Sequence, residues 1–214
     1  MRALIAASLI LFSVGCSKLP SPIDNLQAST VNLAISFPTT MDRWGNVQNP
    51  KGIGSGFFVN SMGTIITARH CVLNRTKIMV MTQDGKSYQA EIVATSFLDD
   101  LALIQIHKAN TPFLPIASQP SVIGEEVYTS GSPLGEVGIV LKGYVAKLCG
   151  NEDILNISIL PGCSGSAVVN RRGEVIGVVS KLLLYNLGTT NLSLVVNADS
   201  IQFFLSEYGY GTQR

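Results

Sequence analysis

The sequence predicts an all-β protein built from two packed antiparallel β-barrels, with a short helix at its C-terminal end. Runs rich in β-branched and aromatic residues recur about every ten residues, and turn residues such as Asp84-Gly85 separate them. The runs form two series of similar length, divided by a loop near 110–119 that contains Pro112 and Pro115. Two β series of this size indicate two barrels packed on each other.

The elements follow in order along the chain. We expect strands of the first series at 56–59, 63–67, 77–81, 87–94 and 101–106. Strands of the second series are expected at 126–130, 138–146, 154–159, 166–170, 174–180 and 191–196. Asp199 is a capping-type residue ahead of an apolar stretch that ends near Gly209. This pattern predicts a short helix docked on the second barrel.

The first 16 residues have the pattern of a leader. Arg2 precedes an apolar run at 3–12 that is too short to span a bilayer. Gly15 followed by Cys16 resembles the lipidation site of bacterial lipoproteins, which implies Cys16 as the lipid-bearing residue and a membrane-anchored location in the periplasm or at the cell surface. A plain secretory leader and a buried apolar strand are the alternatives. We expect a tether and a first edge strand at 17–48, and the main domain at 49–208.

Composition excludes several classes of partner and cofactor. Fifteen Lys and Arg against 14 Asp and Glu give a net charge of +1, which provides no field for binding nucleic acid. No metal-ligand cluster, phosphate loop or nucleotide fingerprint is visible, so we expect no cofactor. If one of the four cysteines, Cys16, is lipidated, Cys71, Cys149 and Cys163 remain and allow at most one disulfide.

Three segments carry residues suited to nucleophilic catalysis. Ser164 lies in the segment 161–167 between two glycines, which permit a tight turn that exposes the hydroxyl and aims backbone N–H groups at a developing oxyanion. His70 follows an apolar strand and could act as the general base, whereas His107 is expected on the surface. Asp100 begins a buried strand and could orient the imidazole.

The three residues occur in the order His, Asp, Ser along the chain, with the first two in one series and the Ser in the other. Together they indicate nucleophilic catalysis far more specifically than any one of them does alone. The segments Thr67-Ala68-Arg69-His70-Cys71, Asp100-Leu101-Ala102 and Gly162-Cys163-Ser164-Gly165 resemble the motifs of trypsin-like serine proteases. The closer similarity is to the bacterial HtrA-type (Deg) branch, through 54–57, 131–135 and 173–177 as well. The resemblance covers roughly 52–205 and implies a chymotrypsin-like fold with the active site between the barrels.

The resemblance also implies a role for each matching residue. Ser164 is the expected nucleophile, His70 the general base and then acid, and Asp100 the orienting carboxylate, in preference to Asp99. The backbone N–H groups of Gly162 and Ser164 are the expected oxyanion hole. Ser180 matches the strand that binds the backbone of an extended substrate. These roles imply a serine endopeptidase that cleaves protein or peptide substrates through an acyl-enzyme.

Two departures from the family pattern leave alternatives open. Cys163 stands where the HtrA-type branch has Asn or Asp, and it is either a small buried residue or the partner of Cys149 in a disulfide. The segment 156–160, expected in the wall of the substrate pocket, has no carboxylate, which favours small or apolar side chains before the cut. No PDZ domain is expected after the helix. The alternative function is a catalytically inactive protease fold that serves as a binding or anchoring module.

Overall fold

The computed structural model describes residues 21–185 and 188–210, so the leader and Cys16 lie outside the described residues. The described helices are α1 (Pro22–Ser29), α2 (Arg69–Val72) and α3 (Ala198–Glu207), with a 3-10 turn at Pro133–Gly135. The strands in chain order are β1 (Thr30–Ser36), β2 (Thr40–Met41), β3 (Val47–Gln48), β4 (Lys51–Phe58), β5 (Thr64–Ala68), β6 (Lys77–Met81), β7 (Ser87–Gln89), β8 (Glu91–Thr95), β9 (Leu101–Gln105), β10 (Glu126–Gly131), β11 (Ile139–Cys149), β12 (Glu152–Asn156), β13 (Ala167–Asn170), β14 (Val175–Tyr185) and β15 (Gly188–Asn197).

Two antiparallel sheets form the body of the molecule. The first has seven strands in the order β7-β6-β1-β4-β5-β9-β8, and the second closes into a six-stranded barrel in the order β10-β11-β12-β15-β14-β13. A separate hairpin of β2 and β3 lies between β1 and β4 in the chain. The predicted all-β, chymotrypsin-like class is therefore confirmed, with one closed barrel and one curled sheet that is open between β7 and β8.

Three buried apolar clusters form the cores of the two sheets and the contact between them. One fills the concave side of the first sheet and another fills the closed barrel. The third lies between the sheets and combines Phe57 and Leu103 of the first with Val169 and Phe204 of the second half. Because buried apolar area is the main favourable term in folding, this shared cluster fixes how the two sheets pack. It thereby positions the loops that meet at their boundary.

From Ser21 onward, the segment expected to be a tether is part of the folded body. Ser21 caps α1 by accepting a hydrogen bond from Asp24 N, and the Asp24 side chain accepts one from Ser21 N, a reciprocal capping box followed by Pro22 in the first turn. The helix buries Leu26 in the cluster between the sheets. The strand β1 pairs with both β4 and β6, so it is central and not an edge strand as we expected.

The C-terminal helix is present with a different cap. Asn197, two residues before the predicted Asp199, accepts a hydrogen bond from Ser200 N and begins α3. Ile201 and Phe204 on its inner face join the cluster between the sheets. Among the described residues, no helix combines the length and the apolar character needed to cross a membrane.

The burial of Leu26 gives a test of the role of α1. Replacing Leu26 with Ala is expected to lower the free energy of unfolding by about 2–5 kcal/mol, because it removes buried methyl groups and leaves a cavity. Leu98→Ala, at a side chain that is 83% exposed, is the matched control and should change stability by less than about 0.5 kcal/mol. Chemical denaturation of both variants measures the difference, and equal stabilities would contradict the placement of α1 in the core.

Candidate active site

His70 and Asp100 are hydrogen-bonded across the ends of two neighbouring strands. β5 runs directly into α2, which carries His70, and Asp100 immediately precedes β9, the partner of β5. The His70 Nδ1 atom lies 2.7 Å from Asp100 Oδ2, and the backbone N–H of His70 donates to Asp100 Oδ1 at 3.0 Å. The Asp100 carbonyl accepts from Arg69 N at 3.1 Å. One aspartate therefore fixes both the imidazole ring and the start of its helix.

The electrostatics of the pair follow from these contacts. The hydrogen bond with Asp100, together with the neighbouring Cys71, raises the pKa of His70 above its ordinary value. Burial would raise the pKa of Asp100, but the hydrogen bonds from His70 and Ser180 lower it overall. Asp100 is thus ionised near neutral pH and stabilises the protonated form of the imidazole.

Ser180 supports Asp100 from the other barrel. Its hydroxyl donates to Asp100 Oδ2 at 2.7 Å, and its side chain is buried. The pairing of β14 with β15 shifts register between Val179 and Lys181, so Ser180 is the extra residue of a β-bulge. Bulges often redirect a side chain next to an active site. The role of the Ser180 strand in binding the backbone of a substrate stays a prediction, and the Ser180 side chain contacts the aspartate.

Ser164 lies in a loop of the second barrel that is fastened to the first sheet. Its carbonyl accepts a hydrogen bond from Ser55 N of β4 at 2.8 Å and lies 3.8 Å from the Sγ atom of Cys71, the residue after His70. The structure therefore brings Ser164 beside the helix that carries His70. Its side chain is partly exposed. Within the described part of the chain, no hydrogen bond joins the Ser164 hydroxyl to the His70 ring.

The backbone around Ser164 leaves two N–H groups free. Among the described residues, no acceptor takes the N–H of Gly162 or of Ser164, while Cys163 N donates to Leu160 O at 3.0 Å and Gly165 N donates to Val179 O at 2.8 Å. Gly162 and Gly165 have φ values of 103° and 87°, which residues with a side chain rarely adopt. The turn can therefore direct two donors toward one point next to the serine, as an oxyanion requires.

Other residues singled out in the sequence lie away from this constellation. His107 is exposed, and Asp99 accepts a hydrogen bond from Asn151 Nδ2 at 2.8 Å instead of facing His70. In the segment 156–160, Ile157 and Ile159 point into the closed barrel, which leaves Asn156, Ser158 and Leu160 exposed. A pocket wall built from this segment can use only these three.

The disulfide considered between Cys149 and Cys163 is not formed in the structure. Both are free thiols, and Cys71 is a third. Cys163 packs in the interior of the closed barrel, and burial raises the pKa of its thiol. Cys149 ends β11 opposite Glu152, at a partly exposed position. Cys163 is accordingly a small buried residue behind the loop, the other interpretation that the sequence allowed.

Two residues that organise the site, Arg75 and Leu134, were not identified as such from the sequence. Arg75 donates from Nη2 to the His70 carbonyl at 2.7 Å and from Nε to the Cys71 carbonyl at 3.2 Å, which holds the end of α2. Leu134, in the 3-10 turn, donates its N–H to Pro161 O at 2.8 Å. Its positive φ of 55° is unusual for a leucine. The match of 131–135 to the HtrA-type pattern was the one signal that pointed to this turn.

No metal centre is apparent at the site. Within residues 21–185 and 188–210, no group of three or more His, Cys, Asp or Glu side chains is placed to hold a metal ion.

Gly165 allows a test of how tightly the loop is packed. A Cβ at Gly165 would overlap the carbonyl oxygen of Ser55 and the hydroxyl of Thr67, whereas one at Gly150, which also has a positive φ, would meet no atom within 4 Å. Gly150→Ala should therefore cost only backbone strain, about 1–2 kcal/mol. Gly165→Ala should cost at least twice as much, or prevent folding. Denaturation midpoints of the two variants measure this, and an equal cost would show that the loop is not packed against β4.

Comparisons with known proteins agree with this architecture. The family model described as trypsin-like peptidase domain matches residues 54–178. A probable periplasmic serine endoprotease, DegP-like, of Pseudomonas putida strain GB-1 is 31% identical over 158 residues, covering 70% of this chain and 33% of the relative. The protein of the same description in Chlamydia trachomatis serovar D is 30% identical over 168 residues, covering 74% of this chain and 34% of the relative. The chain thus spans about a third of the length of the curated relatives it matches.

A solved structure shows the same fold. The crystal structure of the serine endoprotease from Yersinia pestis superposes with a TM-score of 0.71 at 23% identity, covering 89% of this chain and 68% of that one. The family match extends from β4 into β14 and includes His70, Asp100 and Ser164. The resemblance inferred from the motifs is confirmed, and the chain belongs to the trypsin-like peptidase domain family.

Proposed function

We propose that the protein is a serine endopeptidase in which Ser164 attacks the peptide carbonyl, His70 moves the proton and Asp100 orients the imidazole. The observation that carries this proposal is the hydrogen bond of 2.7 Å between His70 Nδ1 and Asp100 Oδ2, beside a loop whose Gly162 and Ser164 N–H groups have no acceptor among the described residues. Family membership and the names of the relatives agree with this activity.

The proton path follows from which nitrogen of the His70 ring is hydrogen-bonded to Asp100. Since Asp100 engages Nδ1 of His70, the neutral ring keeps its proton on Nδ1 and leaves Nε2 as the acceptor for the Ser164 hydroxyl. After attack, the imidazolium returns that proton to the leaving amine, and water then releases the acyl group by the same route. Catalytic hydrogen bonds in ligand-free enzymes are often long and shorten when substrate binds, which accommodates a Ser164 hydroxyl that has no hydrogen-bond partner within the described part of the chain.

We further infer an extracytoplasmic location, with Cys16 as the lipid attachment point. The apolar leader ending in Gly15-Cys16 supports this inference, as does the word periplasmic in the names of the relatives. We further propose that the substrates are proteins or peptides, bound as extended chains between the two sheets.

Labelling of Ser164 tests the activity directly. A fluorophosphonate probe should label the folded wild type, and Ser164→Ala should remove the label and lower kcat on a peptide substrate on the order of 10⁶-fold. Ser206→Ala, at an exposed serine of α3, is the matched control and should keep both properties. A folded wild type that neither takes the probe nor cleaves a proteome-derived peptide library would favour the inactive binding module instead.

The pH dependence tests the pairing of His70 with Asp100. Activity should fall as the pH drops through the raised pKa of His70, because a protonated ring cannot accept the Ser164 proton. Asp100→Asn should lower kcat by about 10⁴-fold and move this acid limb to lower pH, since the variant loses the charge that stabilises the imidazolium. Profiles of kcat/KM against pH measure both effects. An acid limb that stays in place or moves to higher pH would contradict the pairing.

A further inference from the structure

Behind the nucleophile loop, one buried hydroxyl group connects three chain segments. The Ser55 side chain of β4 is fully buried and donates from Oγ to Gly162 O at 2.8 Å. The same oxygen accepts from Ser132 N at 3.2 Å. Because a carbonyl can only accept and an N–H can only donate, these two partners fix the direction of the hydroxyl proton toward Gly162.

The backbone of Ser55 holds the same loop. Ser55 N donates to Ser164 O at 2.8 Å, and Ser55 O accepts from Thr67 Oγ1 at 2.7 Å. Ser55 thus binds the carbonyls of both residues whose N–H groups form the proposed oxyanion hole. The three of these bonds that involve the hydroxyls of Ser55 and Thr67 are buried, and an unmade hydrogen bond is costly there.

The loop needs the hydrogen bond from the Ser55 hydroxyl because Gly162 leaves the backbone free to rotate. Gly162 has a φ of 103° and no side chain, so steric contacts alone restrict the rotation of the following peptide weakly. The preceding peptide, between Pro161 and Gly162, is held by Leu134 N, which donates to Pro161 O. The N–H and C=O of a trans peptide point in opposite directions. This bond therefore aims the Gly162 N–H away from Leu134. The Ser55 hydroxyl holds the next peptide at Gly162 O, and Ser166 N holds the one after it at Cys163 O, at 3.0 Å. All three successive peptides of the loop are therefore anchored.

We infer that the Ser55 hydroxyl is a positioning residue that keeps the Gly162 and Ser164 N–H groups converged on the oxyanion, an inference that rests on the proposed peptidase function. Ser55 does not reach the substrate, because it is fully buried behind the loop. Its effect is exerted through the direction of two backbone donors, and it is felt most when charge develops on the carbonyl oxygen in the transition state.

The test is a split between kcat and KM in Ser55→Ala. This variant leaves Gly162 O and Ser132 N without their partner, so the loop loses its fixed direction while the substrate groove is unchanged. We expect kcat to fall roughly tenfold to a hundredfold, less than the loss of an oxyanion donor itself, with KM changed less than about threefold. Ser55→Cys keeps a weak donor of similar size and should give an intermediate kcat, which also provides a measurement if Ser55→Ala does not fold.

Thr30→Val provides the matched control for the loss of a buried hydroxyl. Thr30 is buried and donates from Oγ1 to Leu26 O at 2.7 Å, at the junction of α1 and β1, so its removal should lower the melting temperature without changing kcat. Each variant is assayed on a fluorogenic peptide derived from the cleavage library, with the folded fraction measured by circular dichroism.

The outcomes separate this inference from the proposed function. An active wild type with a folded Ser55→Ala or Ser55→Cys whose kcat stays within about threefold of it would overturn the positioning role alone. A loss that appears only in KM, or an equal loss of kcat in Thr30→Val, would overturn it as well. A folded wild type without peptidase activity would overturn the proposed function and this inference together.

Discussion

The geometry of the site depends on the hydrogen bonds between strand β4 of the first sheet and the loop around Ser164. His70 and Asp100 come from the first sheet and Ser164 from the closed barrel, so the two halves can form one site only if the loop is held in a fixed place on β4. The bond from Ser55 N to Ser164 O, 2.8 Å long, provides this registration. The apolar cluster between the sheets then keeps the two halves from shifting, because close-packed interiors resist small displacements.

A second constraint is the set of hydrogen bonds that the Asp100 carboxylate accepts. Its side chain is only 20% exposed and accepts hydrogen bonds from the ring of His70, the backbone of His70 and the hydroxyl of Ser180. A carboxylate bound in this way stays charged at a site where burial alone would favour the neutral acid. Since Ser180 belongs to the closed barrel, the aspartate also joins the two halves. The bulge at Ser180 is therefore part of the site and not an irregularity of the barrel.

The sequence was sufficient for the fold class, because strand periodicity is a local feature. The short motifs around His70, Asp100 and Ser164 are local as well, so the sequence could also propose these three side chains as the site. It was insufficient for Ser55, whose partner Gly162 lies 107 residues away, and for the hydroxyl of Ser180, whose acceptor lies 80 residues away. Contacts of that separation have no periodicity to reveal them. The helix α1 was missed for a different reason, since Pro22 was interpreted as a tether residue although Ser21 and Asp24 form a capping box that starts a helix.

The most direct measurement of the central claim is a crystal structure of the protein after reaction with a fluorophosphonate. A phosphonyl group on the nucleophile imitates the tetrahedral intermediate, so its oxygen reports where the developing negative charge would be placed. The account predicts phosphorus bonded to Ser164 Oγ, with the phosphonyl oxygen accepting from the N–H groups of both Gly162 and Ser164 and His70 still bound to Asp100. Phosphorus on another residue, or an oxygen that points away from both N–H groups, would contradict it.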